Sequence, residues 1–365
     1  MMFIPGVQLS ERFYWDAVRP ILDHSWPDLR HGAALIGSGS EVLGFDDEMS
    51  TDHHWGPRVM LFLTPADDAD LREEIHNRLA TGLPYEFMGY STNFTAPNPD
   101  DNNTQLPETI HSGPINHRVE IGTLHDYVRD YLGWEMDQDL SAADWLTFPQ
   151  QKLRTLTAGA VFHDAVGLAA FRRRLDYYPH DLWLYLLAAG WARIGQEEHL
   201  MGRAGLAGDE LGSRLIGARL VRDIMRLGFL MERTYAPYPK WFGSAFRGLA
   251  CAAALTPHLD DALAAATWEA RGRHLALAYE ELGRRHNSLG LTSAMPEQAR
   301  FFFGRPFQVM ALHGFAAALT AAIQDPAIQK LAAGPLIGNI DLVSDNTDVL
   351  ENPSGRANLT RLYPP

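Results

Sequence analysis

Residues 34–63, ALIGSGSEVLGFDDEMSTDHHWGPRVMLFL, hold the residue types from which phosphate chemistry is built. One apolar run ends in Gly37-Ser38-Gly39-Ser40, and Asp52-His53-His54 leads into the next. A glycine turn lets backbone approach a phosphate closely, and its N–H groups, with the Ser38 and Ser40 hydroxyls, can hold phosphate oxygens. On an extended chain Asp52 and His54 face one side and His53 the other. A hard divalent cation, Mg2+ or Mn2+, takes carboxylate oxygens such as that of Asp52. Imidazole suits Mn2+ better than Mg2+, so His54 reads as a ligand, a donor to phosphate, or the mark of a weakened metal site. Glu120, between Val119 and Ile121, adds a third acid on a later strand. Turn, paired positions and later acid make a layout for nucleotidyl transfer. In it Gly37 to Ser40 hold the nucleotide, Asp52, His54 and Glu120 hold the metal, and Asp52 and Glu120 carry the catalysis. His53 reads as a packed histidine, and Asp46 and Asp47 as solvated turn residues.

Further along, Arg219, Arg222 and Arg226 recur at i, i+3 and i+7, placing three guanidinium groups on one helix face. That stripe is either salt-bridged surface or a triphosphate clamp, with Arg222 at its centre. Lysine occurs only at positions 152, 240 and 330 among 31 basic residues. Lys240 stands in Tyr235-Ala-Pro-Tyr-Pro-Lys-Trp-Phe-Gly, where a compact ammonium suits an outer phosphate or simply opens a helix. Glu197, Glu198, Asp209 and Glu210 are candidate bases near an acceptor hydroxyl, or solvated helix ends.

The elements that must position these groups change character along the chain. Leu9 to Leu22 has helical spacing, and His31–Ile36, Arg58–Leu63, Tyr85–Phe94 and Arg118–Leu124 read as strands. Thr64-Pro65 caps a helix reaching Leu79. Residues 95–117, crowded with Asn, Asp, Pro and Thr, form a long loop expected to be functional or disordered. From about Asp139 strand signals fade, and helical periods take over at 142–158, 181–201, 209–233, 262–286 and 306–323. The expectation is an α+β protein: a small mixed-sheet domain over 1–138, a helical domain over 139–333, and an extended tail over 334–365 packed on the surface.

Composition narrows the function. A length of 365 residues with 46% hydrophobic side chains implies two packed domains. A net charge of −14 argues against a polyanion binder, which needs a basic footprint. A small-molecule acceptor is therefore expected rather than a polynucleotide. The single cysteine, Cys251, excludes a disulfide framework and Cys-based zinc modules. With no leader-like start and no long apolar run, the expected setting is the cytoplasm, without membrane attachment. No Gly-x-Ser-x-Gly surrounds Ser38 or Ser40, which removes a serine hydrolase, and no Lys follows the glycines as a Walker-type loop requires.

On Gly37-Ser38 or Gly39-Ser40, Asp52 and Glu120, the chain resembles the nucleotidyltransferase superfamily with the DNA polymerase beta-like catalytic fold. It departs from that pattern at the second acid position, which is His54. Through GSGSEVLGFDDEMSTDHHWGPR, LTAGAVFHD, YYPHDLW and YAPYPKWFGSAF it also resembles a domain-of-unknown-function family of nucleotidyltransferase-like proteins. Its plan of mixed-sheet domain then helical domain is similar to that of kanamycin nucleotidyltransferases. The resemblance implies transfer of a nucleoside monophosphate from a nucleoside triphosphate to a small molecule or a protein side chain, with Mg2+ or Mn2+ and release of pyrophosphate. The alternative is a catalytically inactive member that binds nucleotide as a regulator or interaction protein.

Overall fold

The computed structural model describes residues 3–52, 54–101 and 103–363, with Asp52 described by its backbone only. The fold is α+β. It divides into a unit of Met1–Asp139 with Lys152–Asp176 and a unit of Leu140–Gln151 with Tyr177–Pro365.

In the first unit, β1 (His31–Leu35) pairs antiparallel with β2 (Arg58–Leu63), and β3 (Arg118–Thr123) runs parallel to β2. On the other edge of β1 lies β4 (Ala160–Asp164), also antiparallel, giving the order β3-β2-β1-β4. The runs HGAAL and RVMLFL are apolar along almost their whole length because both strands are buried on both faces. One face presents Ala33, Leu35, Val59, Leu61 and Val119 to a core shared with Phe13, Ile75 and Leu79. Burying each large side chain there is worth about 1.5–3 kcal/mol.

The helices covering that face start where their caps dictate. α1 (Gly6–Phe13) continues through a π turn into α2 (Arg19–Ser25), a longer element than the spacing predicts. α3 (Pro65–Gly82) opens with Thr64 accepting from the Asp67 N–H and with Pro65 in its first turn, as its sequence signals require. β3 begins beside a fixed imidazole: His117 Nδ1 accepts the Val119 N–H at 3.1 Å, so the proton sits on Nε2, 3.1 Å from the His76 carbonyl. Burial drags the His117 pKa down to about 4 and keeps that ring neutral. α4 (Leu124–Leu132) follows β3 directly.

Between residues 139 and 176 the structure departs from the helical expectation. Instead of one helix over 142–158 there are α5 (Ala142–Thr147) and α6 (Gln150–Thr157), because Pro149 has no N–H and its ring cannot continue a helix. β4 then returns to the sheet. Its last residue, Asp164, accepts N–H bonds from Val166, Gly167, Leu168 and Ala169 and so starts α7 (Leu168–Arg174). Tyr85–Phe94 is likewise not one strand but two-residue strands at Glu86–Phe87 and Tyr90–Ser91 around a Met88-Gly89 turn.

The second unit is built on α8 (His180–Leu206) packed along α9 (Glu210–Met231), joined by α10 (Pro239–Phe246), α11 (Ala252–Ala264), α12 (Trp268–Ser288) and α13 (Phe315–Ala322). From Leu182 to Trp191 α8 is buried on all sides, which explains its unbroken apolar sequence. The expected 262–286 helix splits where Thr267 caps α12, and ahead of α13 Gln308–Val309 pairs with Arg300–Phe301 as a small hairpin, followed by a 3-10 turn at Ala311–His313. The tail is not extended: residues 340–362 form short helices, and buried Arg356 bonds Asp144 and Thr147. Among the described residues no helix is long and apolar enough to cross a membrane.

Candidate functional site

Chain direction makes the Gly37–Ser40 turn. β1 ends at Leu35, Gly37 takes φ 79° and Gly39 φ 141°, and both lie in the region that disfavours a side chain. A Cβ on Gly39 would fall 2.5 Å from Arg58 Nη2 and 2.6 Å from Glu41 Oε2. Those two side chains form a buried ion pair at 2.6 Å, and Arg58 Nη2 also donates to the Ser38 carbonyl at 2.6 Å. The turn therefore rests against a fixed guanidinium. Among the described residues nothing accepts from the backbone N–H groups of Ser38, Gly39 or Ser40, and neither serine hydroxyl is bonded. These groups are available to an anion.

The parallel register places Arg58 beside Arg118 and Met60 beside Glu120, on the sheet face opposite the apolar core. Burial, and then the neighbouring Arg58 charge, lower the Arg118 pKa from its ordinary value. Glu41 and Glu120 offset part of the repulsion between these two guanidinium groups, and an anion bound there would offset more of it. Glu120 is exposed, with one oxygen 3.4 Å from Arg118 Nη2. It lines an open recess of about 430 Å3 together with Met60, Phe62 and Tyr127. Tyr127 links that recess to the turn, for a Cβ on Gly37 would run into its hydroxyl oxygen. That hydroxyl is buried without a hydrogen-bond partner, and burial raises its pKa well above the usual value.

The other expected residues fall as follows. Asp52 closes a 3-10 turn, Glu48–Asp52, and its side chain, like all of His53, lies outside the described residues. His54 has φ 53°, donates its N–H to the Gln105 carbonyl, and brings Nδ1 to 2.7 Å from Arg118 Nη1. A guanidinium only donates, so this imidazole nitrogen accepts from it and does not hold its lone pair for a metal. Gln105 belongs to the 95–117 segment, which is tied down by paired backbone at Phe94/Pro107 and Asn98/Thr104. Asp46 is not a solvated turn residue: its carboxylate accepts from the Gly6 N–H and the Trp55 indole. Asp47 binds the Met49 and Ser50 N–H groups.

Arg222 and Lys240 belong to the helical unit. Arg222 pairs with Asp345 at 2.6 Å, and its neighbours Arg219 and Arg226 face Glu197 and Asp223. Lys240 is exposed near the start of α10, its ammonium 4.8 Å from the centre of the Trp241 ring. Of the candidate bases there, Asp209 caps α9, Glu210 pairs with Arg271, and Glu198 accepts the Met310 and Ala311 N–H groups.

Glu41, Arg58, Arg118 and Tyr127 are the participants that residue spacing did not single out. Both arginines open their strands, in RVMLFL and RVEIGT, and that shared position is the signal that could have paired them.

Residues 145–242 match the model of a family described as a domain of unknown function, DUF4037. Nothing among the curated proteins matches the chain. A solved structure of a nucleotidyltransferase-like protein from Exiguobacterium sibiricum 255-15 is similar over 76% of this chain and 75% of its own, at 11% identity and a TM-score of 0.30.

Proposed function

We propose that the chain is a nucleotidyltransferase that moves a nucleoside monophosphate from a nucleoside triphosphate to a small-molecule acceptor. One observation carries the reading: among the described residues nothing pairs with three N–H groups and two hydroxyls of the Gly37–Ser40 turn, beside a buried arginine, on a sheet whose next-but-one strand exposes Glu120. In this reading the turn and the Arg58 and Arg118 charges hold phosphate oxygens. The acceptor hydroxyl attacks the α-phosphorus, its proton passes to Glu120, and the bond to the bridging oxygen breaks to release pyrophosphate. The donor chemistry for Mg2+ or Mn2+ fits Glu120, an exposed hard oxygen, and Asp52, but not His54, whose nitrogen accepts from Arg118. Bound there, the cation supplies charge neutralisation of the triphosphate. The net charge of −14 favours a small acceptor over a polynucleotide. Arg222 and Lys240 are not needed for this reading; Asp345 lies 2.6 Å from Arg222, and the Trp241 ring lies beside Lys240.

The test is a screen of the four nucleoside triphosphates with Mg2+ or Mn2+ against a metabolite pool, scored by pyrophosphate release and adduct mass. Asp52→Asn and Glu120→Gln should abolish turnover while the fold persists. Undiminished turnover in both variants overturns the assignment. The His54–Arg118 contact favours a second reading, a nucleotide-binding regulator without turnover. Triphosphate binding with no pyrophosphate release under any acceptor and metal would select it.

A further inference from the structure

The helical unit encloses a cavity of about 260 Å3 between α8, α9, α10 and the chain around residues 338–345. Its wall has two natures: Leu186, Leu227, Leu230 and Phe242 form an apolar side, and Arg222, Asp223, Arg226, Asp341 and Asp345 form a charged one. Arg226 donates no hydrogen bond to any described residue; its Nη1 stands 3.8 Å from Asp223 Oδ1, beyond bonding reach. The Arg226 side chain is about a fifth exposed, so its donors open onto the cavity, where an acceptor would meet them. Asp341 takes the Gln150 N–H and the Asn339 amide on Oδ2 and bonds its own N–H as well, and the four lone-pair sites of a carboxylate still admit a further donor. The cavity thus asks for an acceptor and a donor at one end and hydrocarbon at the other.

We propose that this cavity binds a small amino-carboxylate with an apolar side chain, its carboxylate on Arg226 and its ammonium on Asp341. A carboxylate suits the planar guanidinium fork. A phosphate dianion suits the place less well, because three carboxylates, Asp223, Asp341 and Asp345, stand there against two guanidinium groups, Arg222 and Arg226. A ligand with one charge engages only one of the two groups, and an amino-carboxylate engages both while leaving the balance between Arg226 and its acids unchanged. The inference is independent of nucleotidyl transfer and stands or falls without it.

Calorimetric titration of the full chain with L-phenylalanine, L-leucine, 3-phenylpropionate and phenethylamine decides it. The two amino acids are expected to bind at least about tenfold tighter than either one-charge analogue. Arg226→Gln should bring phenylalanine down to the level of phenethylamine. Ala236→Leu, which narrows the cavity from its wall, should weaken both amino acids. Equal affinity of phenylalanine and either analogue overturns the proposal, as does the absence of binding by all four. The comparison among the four compounds uses the unaltered protein, so it decides the matter even where Arg226→Gln fails to fold.

Discussion

Glu41→Gln puts a number on the brace behind the glycine-serine turn. Glu41 is 5% exposed and Arg58 10%, with 2.6 Å between their charged atoms. The substitution keeps size and one acceptor oxygen but removes the charge, so a guanidinium whose Nε already lacks a partner stays buried without a counterion. Breaking a buried pair from one side costs about 3–5 kcal/mol. Because the Ser38 carbonyl and the new amide still accept, the expected loss is at the low end, about 3 kcal/mol. Replacing both partners, Glu41→Leu with Arg58→Met, removes both desolvation penalties and frees only the carbonyl of an exposed serine. That double variant should lie within about 1 kcal/mol of the wild type. Hydrogen exchange of the β1 and β2 amides in urea reads the first unit on its own, and wild type, two singles and the double close a cycle. A Glu41→Gln loss under about 1 kcal/mol, or a double variant costing the sum of its singles, refutes the reasoning.

Gly39→Ala drives a methyl into that same ion pair and should cost about 2–3 kcal/mol and the affinity for triphosphate, whereas Gly44→Ala, also at positive φ but facing open space, should cost about 1 kcal/mol; equal thermal shifts for the two would overturn this. Burial pushes Glu198 up to about 7 against the pull of the Met310 and Ala311 N–H groups. Its contribution to stability is full below about 4.5 and is lost as pH rises through 7, so Glu198→Gln should gain on the wild type across that window by on the order of 3 kcal/mol, read from melts at stepped pH. At Asp164 burial works to raise the pKa, but four N–H bonds prevail and lower it. Asp164→Ala should cost about 1–2 kcal/mol near neutrality, with the difference shrinking as pH falls below the usual carboxylate range.

Three of the four expected strands and the turn were legible because their residues are unambiguous: RVMLFL is short and apolar as a buried strand is, and Thr64-Pro65 signals a helix start, whereas the Met88-Gly89 turn cuts Tyr85–Phe94 in two. AVFHD at 160–164 was not, because a half-buried edge strand has neither a clean apolar run nor a strict alternation, and helices flank it on both sides. The break before α6 was written in Pro149 and was masked by the strong helical period around it. In the site, the glycine turn and Glu120 could be located from spacing, since turn chemistry is local. The two arginines could not, because their adjacency exists only through the parallel pairing of β2 with β3. Glu41 and Asp46 look like loop acids in the chain, and only tertiary packing turns one into a buried counterion and the other into an acceptor for Gly6 and Trp55.

The position of β4 has a consequence for how the chain can be cut and how it is made. β1 carries the turn, and one whole edge of β1 is hydrogen-bonded to residues that arrive only after the chain has already contributed 140–151 to the other unit. A fragment stopped at residue 139 would expose a buried, apolar strand with a row of unpaired N–H and C=O groups, the template for edge-to-edge aggregation. During synthesis the sheet likewise stays open until residue 164 has cleared the ribosome, so the nucleus of the first unit waits on its own last strand. Soluble expression of 1–176 with residues 140–151 replaced by a short flexible linker, against precipitation of 1–139, would make that dependence visible.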